Sequence, residues 1–126
     1  MSNDNVELLR GTYDAFGRGD VPAVMAAFAD DISWSVPEAL PHGGQARGKE
    51  EVGQFFQRLA STWEDFGLEI NDYVASGDRV CVIGRATGRL GDVQTGYGFV
   101  HAWTVRDGVC VGLDEYVDPD PDVLAR

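Results

Sequence analysis

Lysine is nearly absent from this chain. Its 126 residues include only Lys49, and ten basic residues stand against 21 acidic ones, giving a net charge of −11. Nucleic acid and anionic membranes both select a basic footprint, so neither is expected as a partner. Cysteine is scarce as well. Cys81 and Cys110 lie in apolar runs without C-x-x-C spacing, which points to reduced core thiols and not to a disulfide framework. The two histidines, His42 and His101, are 59 positions apart with no H-x-H or H-x-x-x-H pattern, so no metal is expected. There is no G-x-S-x-G elbow and no Walker A sequence. Gly96-Tyr97-Gly98 opens a G-x-G, but Val100-His101 follows where the third glycine of a dinucleotide fingerprint belongs. No cofactor is expected. No apolar run approaches ~20 residues, so no membrane span is expected. The first residues, MSNDNVELL, carry neither the basic nor the apolar part of a secretory signal, and a cytoplasmic protein is expected.

What is present is a globular composition with three tryptophans, six phenylalanines and four tyrosines. The length suits one domain over residues 1–126, with 119–126 expected as a loose tail. Asp4 and Glu7 have capping-box spacing, and Val6, Leu9, Tyr13 and Phe16 follow one helical face until Gly17 and Gly19. Asp20 caps a second helix whose buried face reads Val21, Val24, Met25 and Phe28. Asp30-Asp31 should turn the chain into a short strand in which Ile32, Trp34 and Val36 alternate with polar residues. Residues 37–48, with two prolines and three glycines, read as a long loop of the lid or binding type, and His42 within it reads as solvated, with a place at a pocket mouth as the alternative. A third helix follows over 49–63, its stripe formed by Val52, Phe55, Phe56, Leu59 and Trp63.

From Phe66 the period changes to two. Strands are expected near 66–75, 79–90, 93–106 and 109–118, joined by short turns into an antiparallel meander. The order α-α-β-α-β-β-β-β gives an α+β domain, with three helices on the concave side of one curved antiparallel sheet. Such a sheet leaves a concave apolar cavity where a small hydrophobic molecule could bind.

The last hairpin holds the best candidates for chemistry. Asp107-Gly108 is a strong turn signal. A two-residue loop would set His101 opposite Asp114. A three-residue loop over 106–108, with Gly108 as a bulge, pairs Trp103 with Val111 and Phe99 with Glu115. The second register gives an unbroken apolar face and is preferred. It makes His101 and Glu115 diagonal neighbours and leaves Cys110, Asp114 and Tyr116 on the other face.

Tyr13-x-x-Phe16-x-x-Gly19-Asp20, Phe28-Ala29-Asp30-Asp31-x-x-Trp34, Gly48-Lys49-Glu50, and Asp107-Gly108 with Glu115-Tyr116-x-Asp118 together resemble the SnoaL-like branch of the nuclear transport factor 2-like superfamily. That resemblance implies a cone-shaped α+β barrel, usually dimeric through its sheet. In the cyclase branch it implies a general acid/base on the last strand, matched by Glu115, and a cavity-facing partner on the strand before, matched by His101. The steroid-isomerase pattern departs at its base position, which falls at Val36. Catalytic residues are therefore expected at His101 and Glu115, and substrate-binding residues at Tyr13, Trp34, Tyr97, Phe99 and Trp103. Two readings stay open. One is a cofactor-free acid/base enzyme of isomerase, cyclase or lyase type on a small hydrophobic carbonyl compound. The other is a non-catalytic module that binds a hydrophobic ligand or dimerises. A homodimer is expected through Val100, Ala102, Cys110 and Tyr116.

Overall fold

The computed structural model describes residues 2–125. Helices α1 (Ser2–Gly17) and α2 (Val21–Ala26) lead into strand β1 (Phe28–Val36). A short strand β2 (Gly44–Arg47) and helix α3 (Gly48–Thr62) follow. Then come β3 (Glu64–Ser76), β4 (Arg79–Leu90), β5 (Val93–Arg106) and β6 (Val109–Pro119), and a one-turn helix α4 (Pro121–Leu124). One six-stranded sheet runs in the order β2-β1-β6-β5-β4-β3. The α+β class and the single curled sheet agree with the sequence reading, with differences in detail. The sheet is mixed, because β1 pairs parallel with β6 while every other pairing is antiparallel. Among the described residues the helices number four, not three.

Local chemistry explains most boundaries. Asp20 accepts a hydrogen bond from the Ala23 amide at 3.1 Å and caps α2, with Pro22 in the first turn; such a cap contributes about 1 kcal/mol. The helix is shorter than its apolar spacing suggested, and Phe28 opens β1 instead of closing α2. Asp30 and Asp31 lie inside that strand, and both are exposed. The loop expected over 37–48 holds β2, which pairs antiparallel with β1 from Val36↔Gly44 to Ser33↔Arg47. Two backbone bonds, Leu40 N to Pro37 O and Gly43 N to Leu40 O, fold the preceding turns tightly. A side chain at Gly43 would collide with the Pro37 carbonyl. Leu40 and His42 are consequently buried, which corrects the solvated reading of His42. The tail is not loose either. The Asp120 amide bonds to Gly96 O, Arg85 reaches the Asp120 carboxylate at 2.6 Å, and Val123 is buried.

The last hairpin corrects both registers considered from the sequence. The turn is a two-residue one, Asp107 (φ 52°) and Gly108 (φ 79°), and Arg106 pairs with Val109. Two successive positive φ values match the right-handed twist of the flanking strands. The extra residue comes later. Val105 pairs with Cys110 and Thr104 with Gly112, so Val111 is a bulge. Before the bulge Cys110 faces the core, where burial pushes its thiol up to about 12. After it the parity has flipped. Trp103 pairs with Leu113 and His101 lies directly opposite Glu115, closer than the expected diagonal. Asp114 stays exposed.

A second bulge, at Asn71 on β3, lies beside Gly84 of β4. A Cβ at Gly84 would sit 2.2 Å from the Glu69 carbonyl and 2.8 Å from the Phe99 ring. The glycine thus lets Phe99, its partner on β5, lie over the strand. Phe99 in turn stacks on His101 with centroids 4.0 Å apart. Gly84→Ala is expected to destabilise the fold by about 1–3 kcal/mol through overpacking, read as a lower denaturant midpoint. An unchanged midpoint would mean that strand and ring shift aside freely.

Candidate functional site

The inward face of the sheet and the apolar faces of α1 and α3 enclose a cavity of about 60 Å³. Along β5, Tyr97, His101 and Trp103 share the inward face, and Glu115 of β6 and Trp34 of β1 meet them from the neighbouring strands. Tyr13 reaches the cavity from α1. Six of the seven side chains singled out in the sequence therefore border one chamber. The exception is Phe99, which does not line it and instead backs the His101 ring.

The polar atoms form a directed chain. The Trp103 indole N–H, which can only donate, gives its proton to the Tyr13 hydroxyl at 2.9 Å. The Tyr13 hydroxyl is 2.5 Å from His101 Nδ1. Its own proton can go to Nδ1 when the imidazole is neutral and Nδ1 is bare. A neutral imidazole that accepts at Nδ1 carries its hydrogen on Nε2. That nitrogen faces Glu115 Oε2 at 3.2 Å, off the line that a good hydrogen bond needs, so Oε2 is buried without an aligned donor. Burial raises the Tyr13 phenol well above its usual range, and the nearby Glu115 charge adds to this. Tyr13 therefore remains a proton donor at every physiological pH. The residue as a whole is half-buried.

A second chain, which the sequence reading missed, comes from the other side of the chamber. The Trp63 indole N–H donates to His42 Nδ1 at 3.0 Å, and His42 Nε2 lies 3.3 Å from the Tyr97 hydroxyl. Burial lowers His42 to about 4, with Glu115 opposing the fall and Arg58 adding to it. Burial also raises the Tyr97 phenol far above its ordinary value. A histidine between two prolines and two glycines reads as solvated unless the turns that bury it are known. The remaining sequence signal was Trp63 at the end of the α3 stripe, whose N–H needs an acceptor once buried.

Outside the chamber, a groove of about 630 Å³ runs between α1 and β3, past Arg10, Asp14, Asn71, Asp72 and Tyr73. Tyr13, Phe16, Phe66 and Leu68 border both spaces and form the partition between them. Among the described residues no group of three or more His, Cys, Asp or Glu side chains is placed to hold a metal ion. No helix among them is long and apolar enough to cross a membrane.

Comparison with known proteins gives a consistent answer on ancestry. Residues 9–113 match the sequence profile of the SnoaL-like domain, a match that ends two residues short of Glu115. No functionally curated protein matches the chain. Solved structures superpose closely. An NTF2-like protein from Burkholderia xenovorans is 33% identical, with 100% of this chain and 96% of that one covered and a TM-score of 0.84. Another from Burkholderia pseudomallei is 28% identical, with 91% of each chain covered and a TM-score of 0.85. TerC, co-crystallised with polyporic acid, is 25% identical, with 91% of this chain and 92% of that one covered and a TM-score of 0.83. From residue 9 to residue 113, and across the whole curled sheet, this chain belongs to the SnoaL-like family of the nuclear transport factor 2-like superfamily.

Proposed function

We propose that this protein is a cofactor-free acid/base enzyme, of isomerase, cyclase or lyase type, acting on a small and largely apolar carbonyl compound. One observation carries the reading. The Trp103–Tyr13–His101 chain ends at a buried Glu115 whose Oε2 has no aligned donor, inside an otherwise apolar chamber. A carboxylate held there can remove a proton from the carbon beside a carbonyl. The C–H electron pair then moves onto the carbonyl oxygen as an enolate, and the proton returns from Glu115 to the same or a neighbouring carbon. His101 Nε2 stays beside the carboxylate, 3.2 Å from Oε2. A positioned base of this kind contributes about 10²–10⁴ in rate. The similarity to TerC, a relative that was crystallised with a small molecule, supports a ligand in this chamber. The test is proton exchange. With 2-tetralone in deuterated buffer, proton NMR should show α-hydrogen loss catalysed by the wild-type protein. Binding without exchange above the buffer rate would sink the acid/base reading.

The burial of the Glu115 Oε2 atom favours the second reading, a binding module without chemistry, because a packed carboxylate oxygen does not reach a substrate carbon. At about 60 Å³ the chamber is well below the roughly 300–1,000 Å³ of ordinary ligand sites. Phe16, Phe66 and Leu68 separate the chamber from the outer groove, so a substrate that enters from that side displaces them. Ligand affinity with no exchange would be its signature.

A homodimer is proposed with either reading. On the outer face of the sheet, Ile83 pairs with Val100 and Val100 with Tyr116; beside them Val74 pairs with Cys81 and Cys81 with Ala102. Val74, Ile83 and Tyr116 are exposed at 51%, 38% and 62%. Cys110, once expected in this patch, is in the core. The expected mass by light scattering at micromolar concentration is twice the 13.7 kDa of the chain. A monomer mass alone would count against the pairing.

A further inference from the structure

We propose that the chamber has a second, donor pole at Tyr97, set by Trp63 and His42, which takes the oxygen of the bound molecule while Glu115 faces its acidic carbon. The inference rests on the small-molecule reading above but not on proton transfer. It follows from counting protons along the second chain. An indole N–H donates and never accepts, so His42 Nδ1 must be the acceptor. A neutral imidazole with a bare Nδ1 carries its hydrogen on Nε2. That hydrogen points at the Tyr97 hydroxyl, which therefore accepts from His42. Were Tyr97 to donate instead, both ring nitrogens would be acceptors and the imidazole would have to be an anion. The Tyr97 O–H is thus left with its own proton, and no protein acceptor bonds to it among the described residues.

A buried hydroxyl proton without an acceptor is costly and asks for a partner. Tyr97 is 2% exposed and borders the cavity, so the partner must come from inside it. Trp34 repeats the pattern independently. Its Nε1–H is buried without any partner, and its ring borders the same chamber. The Tyr97 phenol, and the Trp34 and Glu115 side chains with their buried unpartnered polar atoms, therefore border one apolar space.

The two aromatic chains run in opposite senses. Trp103 to Tyr13 to His101 ends on a carboxylate, an acceptor. Trp63 to His42 to Tyr97 ends on a free phenol, a donor. Tyr97 and His101 stand four residues apart on the same face of β5, about 13 Å between Cα atoms, and both border the same chamber. The ligand class that satisfies both ends is a flat or aromatic ketone, or its enol. Its oxygen accepts from Tyr97, with Trp34 as second donor. Its α-carbon lies toward Glu115. A hydrocarbon of the same shape would leave both donors unspent. An amine or another cation would put donor against donor at Tyr97. Trp63 does not border the chamber, and both ring nitrogens of His42, which does, are taken up by Trp63 and Tyr97. Trp63 and His42 are positioning residues that fix which way the Tyr97 proton points.

The probe is 2-tetralone, with the hydrocarbon tetralin as its control, and the readouts are affinity and the carbonyl stretch of the bound ketone isolated by ¹³C labelling. Wild-type protein is expected to prefer the ketone over tetralin and to shift its carbonyl stretch to lower wavenumber. Tyr97→Phe should weaken ketone binding about tenfold, the loss of one hydrogen bond. It should leave tetralin binding unchanged, which also shows that the variant is folded, and should remove most of the carbonyl shift. His42→Leu should shrink the shift. His42→Gln, whose amide can accept from Trp63 and donate to Tyr97, should restore it. Glu115→Gln should leave the shift in place while abolishing exchange, so the donor pole and the proton-transfer proposal fail separately. The proposal is overturned if wild-type protein binds 2-tetralone no better than tetralin or not at all. It is equally overturned if Tyr97→Phe keeps the wild-type carbonyl stretch, or if His42→Leu and His42→Gln behave alike.

Discussion

Glu115→Gln is expected to lower the rate of 2-tetralone α-proton exchange by about 10²–10⁴, while its dissociation constant changes far less. The amide keeps the shape of the carboxylate but cannot take a proton from carbon. It fits the space, since Glu115 sits directly opposite His101 with Oε2 3.2 Å from Nε2. The amide oxygen can still face the His101 Nε2–H, so the Trp103–Tyr13–His101 chain need not rearrange. An effect divided between rate and affinity would show that Glu115 holds the ligand as well as acting on it. An effect on affinity alone would reduce the site to a binding pocket. His101→Ala makes the complementary case. It removes the group facing Glu115 and strips Tyr13 of its acceptor, so a loss in rate comparable to that of Glu115→Gln would assign His101 to the same step. Wild-type exchange in the His101→Ala protein would make the imidazole a structural spacer.

The placement of Glu115 shows how far this sequence can be read. The apolar alternation on both sides of Asp107-Gly108 indicated a hairpin, and the need for one greasy face indicated that His101 and Glu115 point the same way. Both conclusions agree with the structure, but the route to the second does not. The parity change was assigned to the turn, and it lies in a bulge at Val111. Alternation reports how many parity changes occur between two segments, not where they fall. That is why Cys110, which precedes the bulge, was placed on the wrong face. The same limit hid β2. Four residues flanked by glycine carry too little pattern to be seen, and their pairing with β1 is decided by a partner strand eight or more residues away. The parallel β1–β6 pairing joins segments about 80 residues apart, and no local signal reports it. His42 fell furthest from its reading, because its burial depends on two turn hydrogen bonds and on the indole and phenol that converge on it from α3 and β5. Residues whose role is set by periodicity were legible. Residues whose role is set by long-range hydrogen bonds were not.

That buried histidine yields the other large effect, on stability as a function of pH. Burial lowers His42 from 6.5 to about 4 in the folded protein, while Glu115 pulls it back up and Arg58 pushes it further down. As pH falls, the unfolded chain therefore binds the proton first. The contribution to stability is complete above the unfolded value near 6.5 and is lost progressively toward pH 4, where the folded protein also protonates. At roughly 1.4 kcal/mol per pH unit, the loss between pH 7.5 and 4.5 should be about 2.5 kcal/mol. The physical reason lies in the bond to Trp63. A protonated His42 would carry a hydrogen on Nδ1, facing the indole N–H at 3.0 Å, donor against donor. The carboxylates of the chain also titrate in this range, so the measurement is a difference. Urea midpoints of the wild-type protein and of His42→Gln should be compared at the two pH values. Glutamine keeps the acceptor for Trp63 and the donor for Tyr97 but cannot ionise, so only the wild-type protein should show the additional loss. Glu115, the carboxylate that acts on His42, is present in both proteins, and repeating the comparison in a Glu115→Gln background removes its coupling. Parallel pH profiles for the wild-type protein and His42→Gln would mean that His42 is not held neutral in the fold, and the direction assigned to the Tyr97 proton would fall with it.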